Sequence, residues 1–224
     1  MKTLEPHQRQ KIQEKVIQFY RHQPWPNRLY QNIKLRICPL IDLEPLFPQE
    51  GVILDLGCGQ GLFALILHFG SSPRKIIGFD LDEKKIEAAK RLMGNLESLS
   101  FFHKNIITDN YPPVEAVALI DVLYLIPYSE HLNLFQKIYE CLSPDGVFIL
   151  KEMDTRPRWK YLWNLVQETL AVKLIGFTLG SHFYFRSQRE ITQLLTQVGF
   201  KTNIIPLDQG YPYPHIAYLA TKKP

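Results

Sequence analysis

The chain has 224 residues, of which 46% are hydrophobic and 21% are charged. At about 150 residues per domain, this length predicts one decorated domain rather than two full ones. The composition excludes an intrinsically disordered chain, because so much apolar surface can form a core. The 26 basic residues exceed the 22 acidic ones by only four, a diffuse surplus that does not indicate a dedicated nucleic-acid-binding domain.

The cysteines and the N-terminus narrow the class of protein further. Cys38, Cys58 and Cys141 are far apart and form no CxxC pair, zinc ligand set or disulfide framework, so no metal site is predicted. The first residues lack the apolar segment of a signal peptide, and no apolar run reaches the length of a spanning helix. We therefore expect a cytoplasmic protein without stable membrane insertion, and its oligomeric state stays open.

Residues 1–48 are predicted to form a helical cap that is interrupted at the PWPN sequence of residues 24–27. Within the first helix, the spacing of apolar residues predicts one face that packs on a core. This face consists of Ile12, Val16, Ile17 and Tyr20. A second stretch of apolar periodicity follows before Gly51.

Residues 49–155 alternate between strand patterns and helix patterns. The strands are predicted in five runs, GVILDLG, KIIGFD, SLSFFHK, AVALIDVLYL and GVFILKEMD. A helix is predicted over 61–69, Asp82 and Ser129 are placed where the next two helices begin, and a Pro144–Gly146 turn leads into the fifth strand. This alternation predicts a parallel, doubly wound sheet with right-handed crossovers.

Residues 156–224 follow a looser pattern. A helix is predicted over 157–175, and Ser187 with Glu190 forms a capping box that opens the helix REITQLLTQVGF. The segments FKTNIIPLD and HIAYLATKK, joined by a QGYPYP turn, predict a strand and its antiparallel partner.

The strongest motif is the segment 55–61, DLGCGQG, between the first strand and its helix. Glycines there permit positive φ and keep side chains away from a ligand, and a helix N-terminus offers unpaired backbone N–H groups. Asp80 closes the second strand, where a carboxylate can accept hydrogen bonds from a ribose diol.

Two kinds of nucleotide could bind this loop. The dinucleotide pattern G-x-G-x-x-G needs a third glycine where this chain has Leu62, since Gly61 comes one residue too early. Asp55 would repel a pyrophosphate but suits a ligand with a positive ammonium group. The loop therefore favours a nucleoside that carries an amino acid over a dinucleotide.

The sequence VILDLGCGQG of residues 52–61 resembles the first motif of class I S-adenosylmethionine (SAM)-dependent methyltransferases. The resemblance implies that SAM is the cofactor, that this loop surrounds its methionine portion, and that Asp80 holds the ribose. Asn105 matches the position facing the adenine amino group, where many members have Asp, and residues 121–124 resemble the fourth motif. The implied cofactor-binding residues are Asp55, Gly57, Cys58, Gly59, Gly61, Asp80, Leu81, Asn105, Ile106, Asp121 and Val122.

The same resemblance implies the fold and its division. We expect an α/β protein with a seven-stranded doubly wound sheet of order 3-2-1-4-5-7-6, helices on both faces and an antiparallel final strand. One methyltransferase domain over 1–224 then comprises the cap (1–48), the SAM-binding core (49–155) and a substrate-side part with the final strand pair (156–224).

The acceptor side is predicted from the rule that ligands of an open α/β sheet bind beyond the carboxyl ends of its strands. The residues expected to bind substrate there are Tyr124, Tyr128, Trp159, Tyr184, Arg186, Tyr211 and Tyr213. A hydroxyl acceptor benefits from a general base, for which His215 and His182 are candidates, with Glu152 behind them. The alternatives are that His215 caps the final strand and that His182 is an exposed loop residue.

These observations predict transfer of a methyl group from SAM to an oxygen or nitrogen atom of a small lipophilic or aromatic molecule, with no nucleic-acid partner. An RNA methyltransferase is an alternative, since aromatic residues and arginine also stack on bases. A SAM-binding scaffold without catalysis is another. The helix over 157–175 could serve as a lid or contact a membrane surface.

Overall fold

The structure is a computed structural model, and it describes residues 4–153 and 183–222. The helix predicted over 157–175 and two predicted site residues, Trp159 and His182, lie outside the described residues.

Seven strands form one sheet in the order β3-β2-β1-β4-β5-β7-β6. The first five are parallel to one another, and β7 is antiparallel to both of its neighbours, β5 and β6. The predicted sheet order and antiparallel final strand are thereby confirmed. The strands are β1 (Gly51–Leu56), β2 (Arg74–Asp80), β3 (Leu99–His103), β4 (Val114–Ile120), β5 (Leu142–Met153), β6 (Phe200–Pro206) and β7 (His215–Lys222).

Helices cover both faces of this sheet. The described α-helices are α1 (Pro6–Tyr20), α2 (Trp25–Ile37), α3 (Leu40–Leu43), α4 (Leu62–Gly70), α5 (Glu83–Met93), α6 (His131–Cys141) and α7 (Gln188–Val198). Short 3-10 turns occur at Glu44–Leu46, Leu123–Leu125 and Tyr128–Glu130.

The core has one apolar layer on each face of the sheet. Side chains from α1, α3, α4 and α5 pack on the first face, whereas α6 and α7 pack on the second. Because strand side chains alternate between faces, Asp55 shares the first face with its neighbour Ile53, while Leu54 and Leu56 occupy the second. By the same alternation, Lys151 and His215 also lie on the first face, which the N-terminal helices cover.

Two predicted helix beginnings are confirmed, and a third is wrong. The Asp82 side chain accepts hydrogen bonds from the backbone of Lys84 and Lys85, and the capping box at Ser187 is present. Ser129 is not an N-cap, because it lies within a 3-10 turn and α6 begins at His131.

The prediction that the fourth strand continues through DVLYL is wrong. Strand β4 ends at Ile120, Asp121 has a φ of 56°, and a 3-10 turn follows at Leu123–Leu125. Leu123 and Tyr124 are nevertheless buried. A run of apolar residues indicates that a segment is buried, but it does not show whether that segment is a strand or a buried turn.

Two further details differ from the sequence predictions. Ile17, assigned to the buried face of the first helix, is exposed, so that face consists of Ile12, Val16 and Tyr20. Strand β5 begins at Leu142 instead of at Gly146, and its pairing with β4 shifts register around this segment. Over residues 4–153 and 183–222, no helix is long and apolar enough to cross a membrane.

Candidate functional site

The glycine loop between β1 and α4 is tightly packed at both ends and open in the middle. Gly57, Gly59 and Gly61 all have positive φ, between 56° and 81°. A Cβ atom on Gly57 would lie 2.4 Å from a methyl group of Val122, whereas one on Gly59 would meet no atom within 4 Å. The loop therefore leaves space for a ligand beside Gly59.

Asp80 connects the end of β2 to this loop. One carboxylate oxygen accepts a hydrogen bond from the Gly59 N–H at 2.7 Å, and the other accepts from the Asp82 N–H at 2.9 Å. Each carboxylate oxygen has a second lone pair. The side chain can therefore hold the loop and still accept hydrogen bonds from a ligand's hydroxyl groups.

Asp55 carries the most unusual carboxylate of the site. The residue is only 2% exposed, and its Oδ2 atom has no hydrogen-bond partner among the described residues. Burial and the nearby charge of Asp80 raise the pKa of Asp55 to about 7, although Lys34 opposes this shift. A buried charge without a partner is costly, so this position suits a cationic ligand group.

Helix α2 crosses the carboxyl end of the sheet above these residues. The Gln31 amide donates to the side-chain oxygen of Gln60 in the glycine loop at 3.5 Å. Burial lowers the pKa of Lys34, but the phenol of Tyr30, the thiol of Cys38 and then the carboxylates of Asp121 and Asp55 outweigh burial and raise it overall. A lysine ammonium from α2 therefore faces the two acidic strand ends.

An ion pair joins the ends of β4 and β5. The ammonium of Lys151, which is fully buried, lies 2.5 Å from Oδ1 of Asp121. Burial raises the pKa of Asp121, but the positive charges of Lys151 and Lys34 outweigh burial and lower this pKa below its usual value. Sequence analysis missed Lys151 and Lys34. The signal for Lys151 was a lysine at the end of the apolar run GVFILK, where a buried charge requires a partner.

Glu152 lies on the opposite face of β5 from Lys151. Its Oε1 atom accepts a hydrogen bond from the Leu123 N–H at 2.9 Å, which fixes the turn after β4. Burial and the charge of Asp121 raise the pKa of Glu152 to about 8. This predicted catalytic residue thus contacts the backbone of the turn that follows the fourth strand.

His215 begins β7 and is buried against the C-terminal end of α2. Its Nε2–H donates a hydrogen bond to the Ile37 carbonyl at 2.7 Å, which leaves Nδ1 as an acceptor. Among the described residues, Nδ1 has no hydrogen-bond partner. Burial lowers the pKa of His215 to about 4, with the charge of Lys151 acting in the same direction. The imidazole is therefore neutral at pH 7 with one buried lone pair.

Two predicted substrate residues flank His215 in the turn between β6 and β7. The ring centroids of Tyr211 and Tyr213 lie 5.8 and 6.0 Å from that of His215. The Tyr211 hydroxyl donates to Asp42 at 2.6 Å and accepts from Arg9 at 2.6 Å. Tyr211 therefore ties this turn to α1 and α3.

The other described substrate residues form an aromatic cluster beyond β4. The rings of Tyr124 and Phe185 are stacked, with centroids 5.1 Å apart. The guanidinium of Arg186 lies 4.5 Å from the ring centroid of Tyr128, and the ring of Tyr184 meets that of Tyr128 edge to face. The structure thus brings together four residues that sequence analysis assigned to the acceptor side.

The residues assigned to the adenine side lie after β2 and β3. The Asn105 side-chain oxygen accepts from the Ile107 N–H at 2.9 Å, and the Ile106 carbonyl accepts from the hydroxyl of Tyr111. Leu81 is exposed. The described ranges contain no group of three or more His, Cys, Asp or Glu side chains that could hold a metal ion.

Comparison with known proteins gives a consistent set of relatives. The family model described as "Methyltransferase domain" matches residues 29–203. A carboxy-S-adenosyl-L-methionine synthase of Wolinella succinogenes is 26% identical over 126 residues, which cover 55% of this chain and 52% of that protein. A trans-aconitate 2-methyltransferase of Sinorhizobium fredii is 31% identical over 140 residues, which cover 60% and 51%. The chain spans about half the length of the curated relatives it matches.

The fold also occurs in solved structures. The human N-acetylserotonin methyltransferase, solved in complex with SAM, superimposes with a TM-score of 0.65 at 21% identity, covering 94% of this chain and 56% of that one. At this identity the likeness establishes the shared fold, including the sheet whose carboxyl edge carries the site described above.

Proposed function

The chain belongs to the methyltransferase-domain family, and on this premise we propose that it is a SAM-dependent methyltransferase that acts on an oxygen or nitrogen atom of a small lipophilic or aromatic molecule. The observation that carries the proposal is the buried Asp55 carboxylate, whose Oδ2 atom has no partner among the described residues. A nucleoside that carries an ammonium group would supply the hydrogen-bond donor that this oxygen lacks, together with a positive charge.

The residues of the loop fit this cofactor. Asp55 would receive the ammonium, Asp80 has lone pairs for the ribose hydroxyls, and the space beside Gly59 admits the ligand without a side-chain clash. When bound, SAM supplies a methyl group on a positively charged sulfur atom. Leu81, Asn105 and the rest of the predicted cofactor-binding set belong to this same proposal.

His215 is proposed to orient the acceptor. Its neutral ring offers a buried Nδ1 lone pair beside the ends of β4 and β5, where an acceptor hydroxyl could donate a hydrogen bond. Because the pKa of His215 is about 4, its ring would not hold a proton taken from the acceptor at neutral pH. We therefore assign His215 the alignment of the nucleophile and not the removal of its proton. Glu152 is assigned the positioning of the turn after β4.

The aromatic cluster supports a lipophilic or planar acceptor. Tyr124, Tyr128 and Tyr184 lie together beyond β4, and ring stacking is worth about 1 kcal/mol beyond area burial. His182 and Trp159 stay predictions, as does the cytoplasmic location.

Titration with SAM tests the cofactor assignment in a matched pair of variants. Asp80→Ala should lower the affinity at least about tenfold, because hydrogen bonds to a charged group are worth about 1.5–3 kcal/mol. Asp82→Ala removes a neighbouring carboxylate that caps α5; it should cost about 1 kcal/mol of stability without changing affinity. Equal affinities in wild type and Asp80→Ala would refute the assignment.

Product formation separates methyl transfer from the alternatives. Labelled SAM is incubated with the wild type and a panel of phenols, carboxylic acids and amines, with RNA as a separate arm. Turnover that falls in His215→Ala while SAM affinity is unchanged supports the acceptor role of His215. Tight SAM binding with no product from any acceptor would instead support a scaffold, and label appearing only in RNA would support the RNA alternative.

A further inference from the structure

Helix α2 presents more apolar surface outward than inward. Of its 13 residues, only Gln31 and Leu35 are buried. Trp25, Leu29 and Ile33 are 72%, 51% and 46% exposed. Their spacing of four residues places them on one stripe along the helix. A helix that served only to cover the core would show the opposite arrangement.

The net positive charge of the protein lies in the N-terminal cap, to which this helix belongs. The cap, residues 1–48, contains eight lysines and arginines against four acidic residues, a net charge of +4. The remaining residues have 18 basic and 18 acidic side chains, a net charge of zero. Two of the arginines, Arg28 and Arg36, are exposed on α2 itself. The cap alone therefore accounts for the basic character of the chain.

We propose that the outer face of α2, made of Trp25, Leu29, Ile33, Arg28 and Arg36, docks on the surface of an anionic lipid bilayer. A helix with a tryptophan and aliphatic residues on one side and basic residues around them is suited to the boundary between headgroups and acyl chains. Tryptophan is favoured at that boundary because its ring is apolar and its N–H is polar. Such docking lies in the interface and requires no spanning segment.

Charge and side-chain chemistry decide against two other occupants. A second copy of the chain on this face would bring together two caps that each carry a net charge of +4, and like charges across an interface are repulsive. A single-stranded RNA would attract the arginines and could stack on Trp25, but Leu29 and Ile33 would find no complementary surface there. A bilayer satisfies both the charged and the aliphatic residues.

The inner side of the same helix faces the candidate active site. Gln31 contacts the glycine loop, and the carbonyl of Ile37 accepts the hydrogen bond from His215. A docked α2 therefore places the carboxyl edge of the sheet next to the bilayer, from which a lipophilic acceptor could enter. This last consequence rests on the proposed function, whereas the docking itself does not.

Co-sedimentation of the full chain with lipid vesicles tests the docking. The wild type should bind phosphatidylcholine vesicles that contain about one third phosphatidylglycerol, and binding should weaken with added salt. The paired change Arg28→Gln and Arg36→Gln should lower the partition coefficient about thirtyfold. Each basic residue near the surface contributes about 1 kcal/mol to binding, and about 1.4 kcal/mol corresponds to a tenfold change. The pair Trp25→Ser and Leu29→Ser should lower it by at least about tenfold.

Controls separate docking from loss of the fold and from loss of the enzyme. Phe102→Ser removes an apolar side chain that is as exposed as Ile33 from the edge strand β3 and should leave vesicle binding unchanged. Unfolding curves of each variant verify that these surface changes keep the fold, and SAM titration verifies the cofactor site independently. Failure of the proposed function alone would leave vesicle binding intact.

The proposal is overturned by any of three results. The first is wild-type binding to anionic vesicles that is absent, or that Phe102→Ser weakens as much as the α2 variants do. The second is binding of RNA through the outer face of α2 with no binding of vesicles. The third is a dimer that dissociates when Trp25 and Leu29 are replaced. Quenching of Trp25 fluorescence by brominated lipid, measured against a Trp25→Phe variant, would place the helix at the acyl boundary and support the proposal.

Discussion

Replacing Asp55 by asparagine should make the protein more stable and unable to bind its cofactor. The substitution keeps the size of the side chain and removes a carboxylate that is 2% exposed and whose Oδ2 atom has no partner in the described ranges. The folded protein must tolerate that charge in the absence of a ligand, because the unfolded chain exposes the same group to water. Stability and binding therefore change in opposite directions.

The size and the pH range of the effect follow from the pKa of Asp55. Folding raises this pKa from 3.8 to about 7, chiefly through burial. An acid whose pKa is raised on folding costs nothing below its unfolded pKa and costs most above its folded pKa. The free energy of unfolding of the wild type should therefore fall, relative to the variant, as pH rises from about 4 to about 7. Three pKa units correspond to a loss of about 4 kcal/mol.

Thermal unfolding of both proteins between pH 4 and pH 8 measures this difference. At pH 8 the variant should melt about 10 °C above the wild type, and at pH 4 the two should nearly coincide. Calorimetric titration with SAM at pH 6 in buffers of different ionisation enthalpy should show proton release by the wild type, because bound ammonium favours the charged carboxylate. A variant that binds SAM normally, or a melting difference that does not grow with pH, would refute this account of Asp55.

Two further predictions concern stability alone and can be checked by urea denaturation. Gly57→Ala should cost about 2 kcal/mol or more, since the new methyl group meets a packed side chain at a positive φ, whereas Gly59→Ala should cost only about 1 kcal/mol from its φ; equal losses would contradict the packing described for the loop. Glu44→Ala should cost about 3–5 kcal/mol because it leaves the fully buried Arg74 without its carboxylate, while Glu87→Ala, from an exposed ion pair, should cost under about 1 kcal/mol.

The sheet and the cofactor loop were predictable because each rests on local, redundant signals. Buried parallel strands appear as apolar runs, helix beginnings need specific capping residues, and the loop combines glycines at positive φ with acidic strand ends. The run AVALIDVLYL shows the limit of this reasoning. Its last five residues are buried but turn away from the strand at Asp121, because apolar character does not specify backbone conformation.

The acceptor side was less predictable because its residues come from distant parts of the chain. Nothing near Lys34 in the sequence indicates that its ammonium faces Asp55 and Asp121, since α2 and the two strand ends meet only in the folded protein. His215 was placed at the correct edge of the sheet. Its hydrogen bond to Ile37 and the resulting low pKa depend on how the cap packs over β7, which no local pattern records.

The position of β7 between β5 and β6 also constrains the order in which the molecule can fold. Strand β6 precedes β7 in the chain, yet it reaches the sheet only through pairing with β7. The two strands form a hairpin in which β7 pairs with β5 directly, so β6 can join the sheet only together with β7 or after it. The turn of this hairpin carries Tyr211, whose hydroxyl binds α1 and α3 through Arg9 and Asp42. The cap therefore acquires these polar contacts only when the turn of the hairpin lies beside α1 and α3.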